Sequence, residues 1–178
     1  MHLTIVFDEP TLVDVEELAT VHVRCWQEAY VAILPKEYLA GLPVSDRVKL
    51  WQRLISSPEV FKQVARVDGN IVGFITCGEP VDGAGMGADG EIYAVYVLKN
   101  CQGHKIGRSL MAFAARFWLS KGGRKLAALF IAANAQAEAF YTSLGGTQVH
   151  EGTFELAGMT VPEKAMIFTD LARLAAYP

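Results

Sequence analysis

The sequence has few of the features that mark a secreted or membrane-bound protein. Only three of its 178 residues are cysteine, none of them in a CxxC pair, which argues against a disulfide framework and a structural zinc site. No apolar run approaches the roughly 18 residues of a membrane helix. No basic segment followed by an apolar stretch opens the chain, so we expect no signal peptide. Without a long apolar run we expect no membrane partner, and the few unpaired cysteines favour a reducing, cytoplasmic location.

Neither positive nor negative charge is in large excess. The formal net charge is only −3, with 16 basic and 19 acidic residues, which argues against a nucleic-acid partner. In contrast, 52% of the residues are hydrophobic, which excludes a disordered chain. Because this length suits one domain, we predict a single domain over residues 1–178, with a core at 3–168 and a short tail at 169–178.

The hydrophobic periodicity alternates between the spacings of strands and helices. It predicts a strand, three helices, three strands, a helix, a strand, a helix and two strands. Ser45 is the expected cap of the third helix, and Asp68-Gly69 indicates a hairpin turn. The segment Gly78–Gly90 is expected to be a loop, in which Met86 belongs either to a substrate lid or to a plain connection. We therefore predict an α/β fold with a mixed sheet of about seven strands flanked by helices, antiparallel early in the chain and parallel where helices cross over.

The segment richest in chemistry follows the fourth predicted strand, where Glu91–Leu98 runs into a turn and a new helix. Such a turn leaves unpaired backbone N–H groups at the positive end of the helix dipole, which suits a phosphate. Residues 99–108 contain Lys99, Lys105 and Arg108 and no acid. The patterns GxxxxGK[ST] and GxGxxG are both absent. From the residues alone, the segment is either a phosphate site or an ordinary connection between a strand and a helix.

Two motifs resemble those of a known family. Gln102-Gly-His-Lys-Ile-Gly107 is similar to the pyrophosphate loop of the GNAT superfamily of acyl-CoA N-acyltransferases, whose pattern is Gln/Arg-x-x-Gly-x-Gly/Ala. Asn134-Ala-Gln-Ala-Glu-Ala-Phe-Tyr-Thr-Ser-Leu-Gly145 is similar to the family's Asn-x-x-Ala-x-x-Phe-Tyr-x-x-x-Gly helix. The motifs lie in the family's order, and the resemblance covers residues 3–168. It implies a GNAT-like sheet whose two central parallel strands splay apart.

One position departs from the family's pattern, because Lys105 stands where the loop has its first glycine. If that position needs a positive φ, a lysine costs on the order of 1–2 kcal/mol there. If it already lies in the first helical turn, its N–H still binds the ligand and its ammonium adds a cation. We expect the second arrangement.

The resemblance implies acetyl-CoA as a co-substrate and no metal. In the family, N–H groups of the loop and the helix start bind the pyrophosphate, the strand backbone pairs with the pantetheine arm as an added strand, and the asparagine contacts the same arm. The corresponding cofactor-binding positions of this sequence are Val95, Val97, Gln102, Gly103, Lys105, Gly107, Arg108, Ser109 and Asn134. For Asn134, a plain helix cap is the alternative.

Two residues are the expected catalytic groups. Tyr141 resembles the family's general acid, which protonates the departing thiolate; the alternative is a core tyrosine. Glu91 lies eleven positions before Gln102, which matches the glutamate that serves as general base in histone-acetylating relatives. A carboxylate whose pKa is raised by desolvation suits that role. The alternative for Glu91 is a polar residue at the mouth of the central strand.

The first helix carries the expected acceptor contacts. Trp26 and Tyr30 lie one helical turn apart, on an element that helps to wall the acceptor site in relatives; core packing is the alternative for Trp26. His22 shares their face and is either a proton acceptor or a core histidine. Cys101 lies beside the loop, and nothing in the sequence activates it as a nucleophile.

The expected function is transfer of an acetyl group from acetyl-CoA to a primary amine by direct attack in a ternary complex. The expected partner is a small-molecule or peptide amine, which the sequence does not specify further, and homodimer formation stays open. Two other hypotheses remain: a non-catalytic acyl-CoA-binding regulatory module, and a nucleotide-binding α/β protein unrelated to CoA. Release of free CoA in the presence of an amine distinguishes the enzyme from the regulatory module.

Overall fold

The computed structural model describes residues 4–81 and 86–178. The strands are β1 (Ile5–Asp8), β2 (Phe61–Val67), β3 (Asn70–Gly78), β4 (Gly90–Val97), β5 (Leu126–Ile131), β6 (Thr147–Leu156) and β7 (Met159–Phe168). The helices are α1 (Val15–Tyr30), α2 (Lys36–Ala40), α3 (Val44–Ser56), α4 (Ile106–Ser120), α5 (Ala135–Ser143) and α6 (Leu171–Ala175). Short 3₁₀ turns precede α1 (Leu12–Asp14) and follow β4 (Lys99–Cys101). Up to β7, the order of strands and helices is the one that the periodicity predicts, and α6 follows in the tail.

The strands form one sheet of seven, in the order β1-β2-β3-β4-β5-β7-β6. Among the described residues, β4 and β5 form the one parallel pair, and all other neighbours are antiparallel. The helix α5 crosses over from β5 to β6, but β7 folds back between these two strands and keeps them from pairing. The predicted mixed α/β sheet is confirmed, with less parallel pairing than the order of elements suggests.

The two central strands separate part-way along their length. The pairing of β4 with β5 extends over three residues and ends at Ile92 and Ala128. Beyond this point β4 stays bound to β3, and β5 stays bound to β7. Tyr93 is an extra residue in the register of β4 against β3, and a bulge of this kind bends a strand and increases its twist. The splayed central strands are therefore confirmed, and a cleft opens between them.

Helices pack on both faces of the sheet. On β3, the Phe74 ring contacts the Trp51 ring of α3 at a centroid distance of 5.0 Å. Cys77, three residues further along the same strand, accepts the indole N–H of Trp118 of α4 at 3.3 Å. Because side chains alternate between the two faces of a strand, α3 and α4 lie on opposite faces. The sheet beside the cleft is thus covered by helices on both faces.

The start of α3 differs from the prediction. The helix begins at Val44, with Pro43 rather than Ser45 at its N-cap. Pro43 has an extended backbone, and its carbonyl accepts the N–H of Asp46 at 3.3 Å. Proline has no N–H to leave unpaired at a helix start, and its φ is already near the helical value. Pro43 therefore begins the helix without a side-chain cap.

An arginine of β2 ties the edge of the sheet to the start of α1. Arg66 Nε donates to both carboxylate oxygens of Asp8 at 3.0 Å, and its Nη2 donates to Asp14 at 2.9 Å. Only 16% of the Arg66 side chain and 15% of the Asp14 side chain are exposed. Burial by itself raises the pKa of Asp14, but hydrogen bonds from Thr11 and Arg66 outweigh it and hold that pKa below its usual value.

We expect Arg66→Ala to lower the free energy of unfolding by about 2 kcal/mol at pH 7, because it leaves the Asp14 carboxylate largely buried without its cation. Since folding lowers the Asp14 pKa, this contribution is present above the unfolded value near 3.8 and is lost as the pH falls further. Urea denaturation at pH 7 and pH 3 measures the effect. Arg53→Ala, at an exposed position of α3, is the matched control. An equal loss at both pH values contradicts this role of the ion pair.

The predicted loop between Gly78 and Gly90 connects β3 to β4 as expected. The hypothesis of a substrate lid concerns Met86 and the glycines from Gly83 to Gly90; residues 82–85 lie outside the described residues, and Met86 and Gly87, which follow them, have positive φ values of 45° and 78°. None of the helices in residues 4–81 and 86–178 is both long enough and apolar enough to cross a membrane.

Candidate active site

The cleft begins where β4 and β5 separate, and its volume is about 510 Å³, which is within the range of small-molecule sites. Its walls come from the end of α1, from β4, from the loop and first turn of α4, and from α5. Ten of the thirteen predicted site residues line it: Tyr30, Val95, Val97, Gln102, Gly103, Lys105, Gly107, Arg108, Asn134 and Tyr141. The structure thus brings most of the predicted residues to one place, whereas Ser109, Glu91 and Trp26 lie outside the lining.

The backbone of β4 presents hydrogen-bonding groups to the cleft. Leu98 donates its N–H to the carbonyl of Val72 on β3 at 2.8 Å. In an antiparallel pair, every second residue turns its N–H and C=O away from the partner strand. Counting back from Leu98 along the register with β3, these residues are Val97 and Val95. Their peptide groups point into the cleft, where an extended amide-containing ligand can pair with them as an added strand.

The turn after β4 directs further N–H groups at one end of the cleft. The first intrahelical bond of α4 runs from Ser109 to the carbonyl of Lys105, at 3.0 Å. The N–H groups of residues 105–108 therefore have no partner within the helix. They lie at the positive end of the helix dipole, an arrangement that binds anions and suits phosphate.

The expectation that Lys105 lies within the first helical turn is wrong. Lys105 precedes α4 as its N-cap in the left-handed conformation, with φ 66° and ψ 3°. This is the conformation that glycine adopts most readily, and the family's loop has glycine at this position. A lysine costs on the order of 1–2 kcal/mol there. Its side chain nevertheless lines the cleft, so the backbone strain and the added cation are both present.

We expect Lys105→Gly to raise the free energy of unfolding by about 1 kcal/mol, because relief of the left-handed strain exceeds the extra backbone entropy that glycine loses on folding. Lys105→Ala removes the same ammonium group but keeps the strain, so it serves as the control. Thermal unfolding should separate the two variants by roughly 2–4 °C. Equal melting temperatures would show that the conformation stores no strain.

Positive charge is concentrated beside these N–H groups. Lys99, Lys105 and Arg108 line the cleft, and Glu28 is the one carboxylate among the lining residues. Glu28 already accepts the backbone N–H of Lys99 at 2.7 Å and pairs with Arg24 at 2.9 Å. Within the described chain, neither Lys105 nor Arg108 pairs with a carboxylate. Both cations therefore face the cleft without a competing acid.

Side-chain hydrogen bonds hold the loop against its neighbours. Gln102 donates through Nε2 to the carbonyl of Val97 at 3.0 Å, and its own Oε1 accepts Nε2 of Gln136 on α5 at 2.8 Å. Ser109 lies outside the lining, and its hydroxyl donates to the carbonyl of Pro178 at 2.5 Å and to that of Lys105 at 3.3 Å. Gln102 thus spans the mouth of the cleft from β4 to α5.

Asn134 caps α5 and lines the cleft at the same time. Its Oδ1 accepts the N–H of Ala137 at 3.0 Å, which leaves the amide nitrogen for other partners.

Gly107 allows α4 and α5 to approach each other, since a Cβ at this position would lie 3.2 Å from the Phe140 ring. The second motif is therefore held directly beside the first.

Three tyrosines, Tyr30, Tyr96 and Tyr141, line the cleft near one another. The hydroxyls of Tyr30 and Tyr96 are hydrogen-bonded to each other at 2.8 Å. Tyr141 is only 6% exposed and lines the same cleft, and its hydroxyl makes no hydrogen bond to another described residue. Burial raises the pKa of Tyr141, and the nearby Tyr30 raises it further. The Tyr141 phenol is therefore protonated at neutral pH and is able to donate a proton.

The Tyr141 ring also belongs to the core. It contacts the rings of Phe130, Phe140 and Phe168 at centroid distances of 5.5, 5.4 and 6.0 Å. Packing in the core and a catalytic role are therefore compatible for Tyr141, because its ring is packed and the residue still lines the cleft.

Glu91 lies near the start of β4, outside the lining of the cleft. Its register partner Gly78 is next to Cys77, which faces α4, so Glu91 faces the side of the sheet that α1 and α3 cover. It is 8% exposed, and its carboxylate accepts the N–H of Val81 at 3.0 Å. Burial raises the pKa of Glu91; the Val81 hydrogen bond opposes this rise, and the charge of Glu163 adds to it.

Trp26 supports the cleft from behind Tyr30. Its ring contacts that of Tyr30 at a centroid distance of 5.1 Å, and the Arg47 guanidinium lies 5.1 Å from its centroid on another side. The indole nitrogen is buried without a hydrogen-bond partner among the described residues. Trp26 is therefore packed, and it reaches the cleft through Tyr30.

His22 and the cysteines show no sign of activation. The His22 ring packs against Phe74 and Trp51 at centroid distances of 4.9 and 6.1 Å, and burial, with a smaller effect from Arg47, lowers its pKa to about 3. It is a neutral core histidine. Cys25 and Cys101 line the cleft as free thiols, and burial raises the pKa of Cys25 to about 12.

Tyr96 and Gln136 are two of the lining residues that the sequence analysis did not name. Tyr96 lies between the predicted positions Val95 and Val97, and strand alternation could have indicated that its side chain points to the opposite face of the sheet. Gln136 is an unspecified position within the second motif, and only its contact with Gln102 shows its importance. Among the described residues, no three His, Cys, Asp or Glu side chains are grouped as metal ligands.

Comparison with known proteins decides the family. The model of the GNAT acetyltransferase family matches residues 18–145, which include both motifs. The uncharacterized N-acetyltransferase YuaI of Bacillus subtilis strain 168 is 34% identical over 167 residues, which cover 93% of this chain and 94% of that protein. The chain belongs to the GNAT acetyltransferase family. It is an enzyme, which excludes the non-catalytic module and the unrelated nucleotide-binding protein.

Solved structures show that the fold of this acetyltransferase is shared. The PaiA N-acetyltransferase of Thermoplasma acidophilum, in complex with coenzyme A, is 19% identical and superposes with a TM-score of 0.71, covering 91% of this chain and 99% of that one. The YncA protein of Salmonella typhimurium, with acetyl-CoA, is 18% identical with a TM-score of 0.68, covering 93% of both chains. At these identities the likeness establishes the fold alone.

Proposed function

We propose that this acetyltransferase moves the acetyl group of acetyl-CoA to a primary amine of a small molecule or peptide, by direct attack in a ternary complex. The observation that carries the proposal is the meeting of two features in one cleft: a turn with four unpaired N–H groups and a buried, protonated tyrosine. The first suits the diphosphate of CoA, and the second suits its thiol leaving group. We also infer a cytoplasmic location, because all three cysteines are free thiols.

The phosphate end of the cleft accounts for binding of the co-substrate. The N–H groups of residues 105–108 bind the diphosphate, and Lys105 and Arg108 neutralise its charge. The pantetheine arm runs along Val95 and Val97 as an added strand. Because the Gln102 side chain occupies the carbonyl of Val97, it releases this carbonyl when the arm pairs with β4.

The tyrosine end of the cleft accounts for transfer. The amine nitrogen forms a bond to the thioester carbon, and a backbone N–H of β4, that of Val97 or of a neighbouring residue, stabilises the charge that develops on the carbonyl oxygen. When the carbon–sulfur bond breaks, Tyr141 donates its proton to the thiolate, and the nitrogen loses a proton as it becomes an amide, which balances the proton needed to restore the tyrosine hydroxyl. Tyr30, hydrogen-bonded to Tyr96 and supported by Trp26, walls the acceptor side of the cleft.

Glu91 is the proposed general base. An ammonium group has no lone pair to attack with, so its proton must be removed first. The pKa of Glu91 is raised toward neutral pH. A general base is most effective when its pKa is near the pH at which the enzyme works. Since Glu91 lies outside the lining, we propose that it takes the proton through a water molecule.

A thiol-release assay tests the function. Purified protein, acetyl-CoA and a library of primary amines are incubated with a chromogenic thiol reagent, with protein plus acetyl-CoA alone as the control. We expect at least one amine to raise thiol release well above that control and to be recovered with an added acetyl group. Tight CoA binding without thiol release for any amine class would contradict transfer to amines, and absence of CoA binding in calorimetry would contradict the whole proposal.

A further inference from the structure

Arg108 is held at the cleft by a part of the chain that lies outside both motifs. Its guanidinium carbon lies 4.5 Å from the centroid of the Tyr177 ring, and Arg108 is one of the residues that line the cleft. A guanidinium at this distance from an aromatic ring is attracted by the negative face of the ring. The stack fixes where this cation lies before any ligand arrives.

The segment that carries Tyr177 is itself anchored on α4. Leu171 and Leu174 of α6 are buried in the main core. Arg116 of α4 donates through Nε to the carbonyl of Ala175 at 2.9 Å, and through Nη2 to that of Tyr177 at 2.6 Å. Tyr177 is therefore held by hydrogen bonds from the same helix whose first turn contains Arg108.

We propose that Tyr177 is a positioning residue for co-substrate binding: its ring holds the Arg108 guanidinium at the phosphate end of the cleft, where this cation binds a phosphate group of CoA. The inference rests on the proposed function. A free arginine side chain loses rotamer freedom when it binds an anion, and this loss weakens binding. A guanidinium that already lies against an aromatic ring loses less freedom, so its binding is weakened less. Residues 171–178, outside the core expected at 3–168, thus take part in the site.

Calorimetry with CoA tests the stack. We expect Tyr177→Ala to weaken CoA binding by about 5-fold, and Tyr177→Phe, which keeps the ring, to bind like the wild type. Tyr177→Leu keeps an apolar side chain without an aromatic face and repeats the comparison if the alanine variant does not fold. In the Arg108→Ala background, loss of the Tyr177 ring should cause no further weakening, because the two residues act through one contact. Additive effects would overturn the proposal.

Steady-state kinetics with two acetyl donors separates this role from a merely structural one. In Tyr177→Ala, the KM for acetyl-CoA should rise about 5-fold with kcat unchanged, whereas the KM for S-acetylpantetheine, which has no phosphate, should stay constant. A rise for both donors, or for neither, would overturn the role of Tyr177. Failure of the wild type to bind CoA would instead overturn the proposed function, so the two failures are distinguishable.

Discussion

Tyr141→Phe should lower kcat by about 10²–10³-fold and leave the KM for acetyl-CoA near the wild-type value. The substitution removes only the hydroxyl. The phenyl ring retains its contacts with Phe130, Phe140 and Phe168, so the cleft keeps its shape, while the departing thiolate loses its proton donor. Single-turnover and steady-state measurements of thiol release determine both parameters.

Tyr38→Phe is the matched control for this variant. Tyr38 lies on α2, outside the lining of the cleft, so loss of its hydroxyl should leave kcat unchanged. The pH profile adds a check: because burial raises the Tyr141 pKa above its usual value of 10.0, kcat of the wild type should not fall from loss of this proton below that pH. An undiminished rate in Tyr141→Phe would reject the role as acid.

Glu91→Gln should lower kcat/KM by about 10²-fold at pH 7 and flatten the rise of the pH–rate profile. The base acts as a carboxylate, so the rate increases as the pH passes its pKa, and glutamine has no such ionisation. An unchanged rising limb would remove Glu91 as the base.

Glu163→Gln should shift the rising part of the pH–rate profile without removing it. The negative charge of Glu163 contributes to the raised pKa of Glu91, although burial is the larger cause. Removing that charge lowers the Glu91 pKa, so the rising limb should move to lower pH and keep its height. A shift to higher pH would contradict the coupling of these two carboxylates.

Stability measurements distinguish a lost base from a damaged fold. Folding raises the pKa of Glu91 above its usual value of 4.5, so the folded state binds this proton more tightly than the unfolded state. The ionisation of Glu91 therefore reduces stability as the pH rises from 4.5 through the folded pKa. Glutamine does not ionise and still presents an oxygen to the N–H of Val81, so Glu91→Gln should be at least as stable as the wild type at pH 7.

The elements of the fold could be predicted because each has a local cause. The turn between β2 and β3 is an example: Asp68 and Gly69 have φ values of 51° and 81°, which these residue types adopt most readily in a hairpin. Asn134 at the start of α5 is another, since its side chain bonds to a backbone group three residues further on. The start of α3 escaped prediction because two neighbouring residues, Pro43 and Ser45, are both suited to a helix start.

The site was predicted less completely than the fold. The residues of the two motifs were found because the motifs resemble those of a family, and ten predicted positions meet in the cleft. The placement of Lys105 in the first helical turn was predicted wrongly, because lysine as a residue type favours the helical region, whereas the position is left-handed and the glycine of the family's loop was the signal for it. Tyr96 and Gln136 carry no signal in the sequence beyond their positions in β4 and α5, and Tyr177 lies after the last helix, outside both motifs.

The sequence by itself determined the order of strands and helices, the positive turn after β4 and the resemblance to acyltransferases. These features depend on residues close together in the chain, where spacing and side-chain type decide the conformation. The tertiary structure decided which hydroxyls meet, which cationic residues line the cleft and that Glu91 lies outside its lining. Tyr30 and Tyr96 are 66 residues apart in the chain, and their hydroxyls are hydrogen-bonded at 2.8 Å. Contacts of this kind arise only when whole helices and strands pack together. The bends, bulges and register shifts that place them are not encoded by any short stretch of sequence.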